Sequence, residues 1–429
     1  MILTVVLIFV GLLILGVPIG FSMGIAGCSF FFLSDQVSFL SMLPDYIFNG
    51  LNSFVLMAIP FFLLAGEIMD RATISSRIIS FSNLLVGRFP AGLAQVNIMA
   101  SMLFAGITGA ALGDVAALGK IFIPTMEKEG YDKPFAAAVT AVSSLIGPII
   151  PPSIVIVVYC SVTELSVGGM FAAAIVPGVL MGISQMCVVY YLAKKRNYPQ
   201  HEVQITPRVF AKSFKEASLA LLMPFIILGG IISGIVTPTE AAACAVLYAL
   251  ITSFFIYRTL SWKDMPDILI TSSRGAAKLF FILAFIGIMS WVFGFQNLPL
   301  MLRDTVVTHV SNPIIILLCM NLFFVFVGMW MTEGPAILLF APIMMPLAES
   351  VGMHPFTWGI IMVLLLVLGL ITPPVALVLF AASDIAELPM EQVFKAALPL
   401  FCSVLVVVFL LNVFPELTLF LPRLFGFIT

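Results

Sequence analysis

Charged side chains are scarce in this chain of 429 residues. Asp, Glu, Lys and Arg together make up 9% of it, and histidine occurs three times. A soluble globular domain is about one-quarter charged, so a soluble fold is excluded. Hydrophobic residues instead amount to 62%, and the mean hydropathy is +1.19. Because apolar runs long enough to cross ~30 Å of hydrocarbon fill most of the length, the chain is predicted to be an all-α polytopic membrane protein.

Several kinds of functional motif are missing as well. There are no paired aspartates and no His-Glu-x-x-His motif, which argues against an intramembrane enzyme. No ATP-binding motif occurs, and no basic stripe with interleaved aromatics points to nucleic acid. The six cysteines stand singly, without a CxxC pair or a metal-like spacing with the histidines. We therefore expect no catalytic activity, no organic cofactor and no nucleic-acid partner, with membrane lipid surrounding the chain.

The sequence does contain an internal repeat of helix-breaking residues. In each copy a long apolar segment is interrupted near its centre, at residues 147–153 and at residues 369–374. Paired apolar segments broken at corresponding places indicate the midplane binding site of a transporter. The residues that recur 222 positions later are Pro124, Gly130, Gly147, Pro151, Pro152 and Pro177, which return as Pro346, Gly352, Gly369, Pro373, Pro374 and Pro399.

Helix length and the positions of the breakers predict ten crossings and two interrupted regions. The interrupted regions, 91–128 and 313–350, are each either two full spans or a re-entrant hairpin. Lys120 and the run Glu127-Lys128-Glu129 favour a hairpin for the first, since such limbs are tolerated only where protein or water surrounds them. The ten predicted crossings are 2–16, 18–34, 53–70, 133–159, 166–193, 218–235, 238–257, 276–294, 355–380 and 391–414.

Lys and Arg positions predict the orientation of these crossings. If the predicted loop at 194–217 is cytoplasmic, 16 of the 19 basic residues lie inside, and both termini lie outside. The two broken helices, 133–159 and 355–380, then run in opposite directions. The sequence therefore predicts two inverted repeats, residues 1–214 and 215–429, each with a hairpin and a broken helix. Residues 71–88 and 258–275 are predicted to be amphipathic helices along the inner surface.

The chemistry is expected at the two breaks. A broken helix exposes carbonyl groups that suit a desolvated cation and N–H groups that suit an anion. The hydroxyls of Ser143, Ser144 and Ser153 surround the first break, and Thr108 can approach it from the hairpin tip. Hard oxygen ligands without carboxylates favour Na⁺ over a divalent ion. The alternative is that the Pro-Pro steps are packing kinks and that these hydroxyls bond their own helices.

Three acidic residues near these segments are interpreted separately. Thr237 and Glu240 fit a capping box at a helix start, with Pro238 in the first turn. Asp114 is interpreted mainly as a cap of the second limb of the first hairpin. Glu333, beside the second hairpin tip, is either structural or involved in cation or proton coupling, because a carboxylate near the membrane midplane is costly.

Two strings and the paired breaks resemble a known family. Residues 234–242 (GIVTPTEAA), residues 59–67 (IPFFLLAGE) and the Gly-x-x-x-Pro-Pro breaks are similar to the large membrane subunit of tripartite ATP-independent periplasmic (TRAP) transporters. The resemblance runs over essentially the whole chain. It implies a Na⁺-driven secondary importer of the elevator type in the bacterial inner membrane. It also implies a small four-helix membrane subunit, expected here as a separate chain, and a periplasmic binding protein.

The resemblance further implies a small carboxylate substrate, with sialic acid favoured and a C4-dicarboxylate next. A channel is the alternative function, because two hairpins meeting at the midplane could also line a pore. The predicted substrate-binding residues are Ser153, Thr108 and Glu333. The predicted sodium-binding residues are Ser143, Ser144, Gly147, Pro148, Thr108, Gly328, Thr332, Gly369, Thr372 and Pro373.

Overall fold

All regular elements in the described part of the chain are helical. The computed structural model describes residues 2–72, 74–200 and 206–428. Short 3₁₀-helices at Val37–Met42 and Phe54–Met57 and a π-helix at Ile251–Ile256 accompany the α-helices. The α-helices of the first half are α1 Ile2–Ile14, α2 Ile19–Leu33, α3 Leu43–Leu51, α4 Ala58–Arg71, α5 Ile74–Val86, α6 Gly92–Thr108, α7 Ala111–Lys128, α8 Lys133–Ser144, α9 Ile154–Thr163 and α10 Val167–Arg196. Those of the second half are α11 Pro207–Ile232, α12 Pro238–Leu250, α13 Met265–Phe295, α14 Leu298–His309, α15 Pro313–Trp330, α16 Glu333–Ser350, α17 Pro355–Gly369, α18 Leu377–Ile385, α19 Met390–Val413 and α20 Glu416–Leu424.

Each predicted hairpin region and each predicted broken helix consists of two helices joined at an interruption, and the choice between a re-entrant hairpin and two full spans stays a prediction. α6 and α7 form the first hairpin, and α15 and α16 form the second. The first broken helix consists of α8 and α9, and the second of α17 and α18. The bounds of α7, Ala111–Lys128, displaced by 222 residues coincide with those of α16, Glu333–Ser350. In this limb of the hairpin, the repeat of Gly and Pro in the sequence is therefore accompanied by matching helix bounds.

The broken helices form the centre of the core. Every residue of α17 from Phe356 to Gly369 is buried, as is every residue of α8 from Phe135 to Ser144. A helix that is apolar on all sides belongs in a protein core or in lipid, and the burial of these two shows that protein surrounds them. Each hairpin also packs against the other half, since α7 contacts α18 and α16 contacts α9. The two breaks are thus held in one interlocked unit, while α2, α3, α4, α12 and α13 pack together beside it.

The prediction for residues 258–275 is wrong. From Met265 these residues form the start of α13, which continues unbroken for 31 residues. Pro266 lies in the first turn, where its missing N–H does no harm, and no later proline interrupts the helix. The equivalent stretch of the first half is interrupted, because residues 37–51 and 54–71 meet at an angle of 58°. At the repeat offset, the counterpart of α5 is α14.

Six helices of the described residues are long and apolar enough to cross a membrane, or seven if the bent pair before Arg71 counts as one span. Five of the six coincide with predicted crossings, and the sixth is the hairpin limb α15. The other predicted crossings correspond to the shorter helices α1 and α2, to the bent pair and to the two broken helices. Broad apolar surfaces remain exposed, including Phe225 at 71% and Phe255 at 68%, as expected where lipid replaces water.

The predicted loop at 194–217 is shorter than expected. α10 extends to Arg196 and α11 begins at Pro207, while residues 201–205 lie outside the described part. α11 also runs through residues 214–215, and the division of the chain there stays a prediction. After α10, the Tyr198 hydroxyl and the Arg196 guanidinium both donate to Oδ2 of Asp132, at 2.6 and 3.1 Å. These bonds fasten the end of α10 to the start of the first broken helix.

The predicted capping box is confirmed at the start of α12. Thr237 Oγ1 accepts from the Glu240 N–H at 3.3 Å, and the Glu240 carboxylate accepts from the Thr237 N–H at 2.7 Å. Replacing such a cap by Ala costs about 1 kcal/mol. We expect Thr237→Ala to lower the free energy of unfolding by that amount and Thr237→Ser to leave it nearly unchanged. Thermal unfolding of the purified variants in detergent checks this, and equal midpoints for the two would contradict it.

His354 caps α17 and makes its stability depend on pH. Its Nδ1 accepts from the Phe356 N–H at 3.1 Å, which requires an unprotonated ring nitrogen. Burial, reinforced by Arg423, lowers the pKa of His354. The unfolded chain therefore binds the proton more readily, so the stability from this group is complete above the ordinary His pKa of about 6.5 and declines as pH falls below it.

The corresponding variant is His354→Asn, because Asn caps a helix without titrating. We expect the unfolding midpoint of the wild type to decrease more steeply between pH 7 and 5 than that of the variant. Unfolding curves at several pH values measure the difference. Parallel pH profiles would show that His354 does not contribute.

Candidate functional site

The first hairpin tip lies against the break of the first broken helix. α6 ends at Thr108, and Gly109 turns the chain in a left-handed conformation with φ +61°. A Cβ built on Gly109 would lie 2.8 Å from the carbonyl oxygen of Pro152. A side chain at this position would therefore clash with backbone, and glycine allows the tip to approach the break.

Asp114 links the tip to the break more directly. It is fully buried in the first turn of α7, and its Oδ1 accepts a hydrogen bond from the Thr108 hydroxyl. Its other oxygen, Oδ2, is buried and has no hydrogen-bond partner among the described residues. A Cβ built on Gly147 would lie 2.7 Å from that oxygen. The unpaired carboxylate oxygen thus faces the break itself.

The serines of the first break are engaged mainly with their own helices. Ser144 donates to Ala141 O at 2.8 Å, and Ser143 donates weakly to Thr140 O at 3.3 Å while accepting from Ser101 at 2.9 Å. Ser153 donates to the carbonyl of Pro148 and accepts from Ile156 N–H at 3.2 Å, so it is the N-cap of α9. These hydroxyls keep acceptor lone pairs, and their role as ligands stays a prediction.

The second site is built differently. Gly328 of α15 meets Gly369 at the end of α17, and a Cβ built on Gly369 would lie 2.2 Å from the carbonyl carbon of Gly328. Thr372 donates to Leu368 O at 2.9 Å, within its own segment, and Pro373 follows it in the break. Thr332 is the N-cap of α16, without a side-chain capping bond. The hairpin and the broken helix meet here by backbone contact rather than through a carboxylate.

Each hairpin nevertheless has one carboxylate in the first turn of its second limb. Glu333 is the first residue of α16, whereas Asp114 is the fourth residue of α7, one turn further along. The neighbouring Gly334 faces Leu279 of α13. Glu333 therefore lies at a tip that contacts the helices beside the interlocked unit. Contact of Ser153, Thr108 and Glu333 with substrate stays a prediction.

The sequence analysis did not predict the position of Asp114 at the first break. The sequence suggested a helix cap, but the N-cap position of α7 is Ala110, and α7 has no side-chain cap. The signal that could have identified Asp114 is its charge within an apolar limb beside a hairpin tip. An ionisable residue inside a membrane is by default a candidate functional residue.

A cavity lies at the boundary of the interlocked unit, and none of the residues that line it belongs to either break. It has a volume of about 390 Å³ and lies between α3, α13 and the end of α9. Asn49, Ser53, Ser161 and Ser290 contribute polar groups to its wall, and Tyr46 stacks on Trp291 at a ring-centroid distance of 4.9 Å. The cavity separates part of the first broken helix from the neighbouring helices.

The chain is similar to transport proteins over nearly its whole length. A family model described as "Tripartite ATP-independent periplasmic transporter, DctM component" matches residues 6–417. The sialic acid TRAP transporter large permease protein SiaM of Vibrio cholerae is 37% identical over 417 residues, which is 97% of each chain. The C4-dicarboxylate TRAP transporter large permease protein DctM of Pseudomonas aeruginosa is 37% identical over 92% of this chain and 94% of that protein. The 2,3-diketo-L-gulonate TRAP transporter large permease protein YiaN of Escherichia coli is 34% identical over 98% of this chain and 97% of that protein.

A solved structure shares the fold. The crystal structure of the Alcanivorax borkumensis YdaH transporter matches with a TM-score of 0.62 over 92% of this chain and 89% of that chain, at 13% identity. At this identity the likeness concerns the fold alone. The family match and the relatives above 30% identity decide the assignment: this chain belongs to the DctM family of large inner-membrane TRAP subunits, which are transport proteins rather than enzymes and work with a small membrane subunit and a periplasmic binding protein.

Proposed function

We propose that the chain imports a small carboxylate by Na⁺-coupled transport, after a periplasmic binding protein has delivered the substrate. The observation that carries this proposal is the first break, where the buried and unpaired Oδ2 of Asp114 faces Gly147. A buried carboxylate oxygen without a partner is costly, and a bound cation or a proton stabilises it. A monovalent ion is favoured because the neighbouring ligands are hydroxyl and backbone oxygens, with a single carboxylate.

The relatives support a carboxylate substrate. SiaM, DctM and YiaN are named for sialic acid, C4-dicarboxylates and 2,3-diketo-L-gulonate, which are all carboxylates. Helix N-termini at the two breaks, at Ile154 and Leu377, offer N–H donors that suit an anionic group. Sialic acid remains the favoured cargo of this chain and a C4-dicarboxylate the next.

An elevator mechanism fits the way the two breaks are held. α7 packs on α18 and α16 packs on α9, so both sites would move together as one body. The hairpin tips touch the neighbouring helices at small residues: a Cβ on Gly66 of α4 would lie 3.3 Å from Ile107 O, and Gly334 meets Leu279 of α13. Such contacts let one body slide along another, and we expect the interlocked unit to carry substrate and Na⁺ across the membrane in this way.

The test is uptake into proteoliposomes that contain this chain, its small subunit and the matching binding protein. Labelled N-acetylneuraminate and labelled succinate are compared, with and without an inward Na⁺ gradient. Saturable uptake that needs both Na⁺ and the binding protein is expected. Uptake indifferent to Na⁺ would contradict the coupling, and non-saturable flux that needs no binding protein would support the channel instead.

A further inference from the structure

A set of buried polar side chains joins α6, α8 and α10 in the first half of the chain. All of its members are at most 2% exposed, although they lie between membrane helices. We call this set the polar seam. Its residues are Gln95, Asn97, Ser101, Thr140, Ser143 and Gln185.

Side-chain hydrogen bonds connect the three helices along the polar seam. Asn97 Nδ2 donates to Thr140 Oγ1 at 2.7 Å, and Ser101 donates to Ser143 at 2.9 Å. Gln185 Nε2 donates to the Val142 carbonyl at 3.3 Å. In the same region Gln95 Nε2 donates to a carbonyl of α10, at 3.1 Å. The N–H and O–H donors are therefore largely used within the protein.

Three amide oxygens of the polar seam accept no hydrogen bond from the described residues. Oε1 of Gln95, Oδ1 of Asn97 and Oε1 of Gln185 are buried and have no hydrogen-bond partner among the described residues. Oxygen atoms of amides and hydroxyls are the hard ligands that a partly dehydrated monovalent cation accepts. The polar seam thus offers oxygen ligands for a cation between the helices.

The polar seam runs from the first break toward the predicted inner surface. Ser143 lies in the last turn of α8, just before the break, and Gln95 lies in the first turn of α6, at the end of that helix away from the hairpin tip. Asn97 and Ser101 are four residues apart, so successive ligands are separated by about one helical turn, or about 6 Å. From Thr108 at the tip to Gln95, α6 covers about 20 Å at 1.5 Å per residue.

The second half shows that packing does not require these polar residues. The positions 222 residues later, on the equivalent helices, are all apolar or weakly polar. Burial of polar groups costs free energy that apolar residues at the same positions avoid. The polar seam itself is therefore confined to the first half, although α15 and α19 carry buried unpaired amide oxygens at other positions, on Asn321 and Asn412. The equivalent residues are Leu317, Cys319, Phe323, Met362, Leu365 and Val407.

We propose that the polar seam is the route by which the coupling cation leaves the first break for the cytoplasm. The cation passes from Ser143 to the amide oxygens of Asn97 and of Gln95 or Gln185, exchanging one set of oxygen ligands for the next. This role rests on the Na⁺ coupling proposed above. In this proposal the polar seam releases the ion to the cytoplasm, and the break binds it first.

Two transport assays distinguish the release of the cation from its binding. Net uptake driven by an inward Na⁺ gradient requires the ion to leave on the inner side in every cycle. Exchange of labelled for unlabelled substrate, with equal high Na⁺ on both sides, lets the loaded unit return without discharging its ion. The probe is labelled N-acetylneuraminate, or succinate if the wild type takes up only that.

The variants are Thr140→Val and Asn97→Leu, with Thr357→Val as the matched control. Thr357 makes a buried interhelical bond to Thr418 at 2.6 Å in the second half, so the control loses a bond of the same kind outside the polar seam. We expect the two polar-seam variants to lose at least about tenfold in net uptake while exchange stays within about twofold. The control is expected to keep the wild-type ratio of uptake to exchange. If Asn97→Leu does not fold, Asn97→Cys replaces it, since position 319 of the second half carries Cys.

The possible outcomes are distinct. An equal loss of uptake and exchange in Thr140→Val, or the same altered ratio in Thr357→Val, would make the polar seam a structural connection and overturn the proposal. Normal net uptake in both polar-seam variants would also overturn it, with Na⁺ coupling intact. Na⁺-independent uptake by the wild type would instead refute the proposed function, and the discharge route with it.

Discussion

Asp114→Asn is expected to abolish Na⁺-driven uptake while the protein still folds. The amide keeps an oxygen that can accept from Thr108, so the hairpin tip retains its hydrogen bond, but the charge that faces Gly147 is lost. Removing one member of a buried charge pair costs about 3–5 kcal/mol, and each 1.4 kcal/mol is about tenfold in affinity. Uptake at a fixed Na⁺ concentration should therefore fall about 100-fold or more.

The measurement combines uptake in proteoliposomes with the Na⁺ dependence of thermal unfolding. A ligand that binds only the folded protein raises its unfolding temperature, so the wild type should be stabilised by Na⁺ over K⁺ and the variant should not. Asp304→Asn is the control, because Asp304 pairs with the adjacent Arg303 on an exposed helix. Retained Na⁺ stabilisation in Asp114→Asn would exclude Asp114 as a sodium ligand.

Gly369→Ala is expected to have the largest effect on stability. The added methyl group would meet the backbone of Gly328 at 2.2–2.4 Å, and backbone atoms cannot move aside as a flexible side chain would. Overpacking of a buried core costs about 1–3 kcal/mol, and a contact this short should lie at the upper end. The second hairpin and the second broken helix should separate, with loss of folded yield and of uptake.

Gly113→Ala is the matched control, since a Cβ there meets nothing within 4 Å and the position is helical. The same substitution should be neutral at position 113 and strongly destabilising at position 369. Detergent-solubilised yield and the unfolding midpoint of both variants measure the difference. A Gly369→Ala protein as stable as Gly113→Ala would contradict the close contact between the hairpin and the break.

The hairpins and breaks could be predicted because their causes are local. Pro lacks an N–H and clashes with the preceding turn, and Gly relaxes the backbone, so Gly147 with Pro151, and their repeats Gly369 with Pro373, interrupt the helices. The repeated prolines Pro124 and Pro177, by contrast, lie inside continuous helices. The capping box at Thr237 is local for the same reason. For these elements the spacing of a few residues was sufficient to predict the structure.

Elements that depend on distant contacts were missed or misplaced. Basic residues before and within the start of α13 suggested an in-plane helix, but from Met265 the segment continues as one helix because no proline follows Pro266. Carrying α5 forward by the repeat offset would have located its counterpart, α14. The position of Asp114 at the break could not be predicted from neighbouring residues. It depends on the contact of the unpaired oxygen with Gly147, in a distant segment of the chain.

α13 is one continuous helix, whereas the first half bends between α3 and α4. This difference bears on the ancestry of the chain. Two halves that match in length and in breakers indicate descent from a duplicated gene, whose product would have paired with an identical copy. That equivalence no longer holds, since one copy has the bend and the polar seam and the other has neither. Two first halves or two second halves joined in tandem would not reproduce this protein, because each half contributes features that the other lacks.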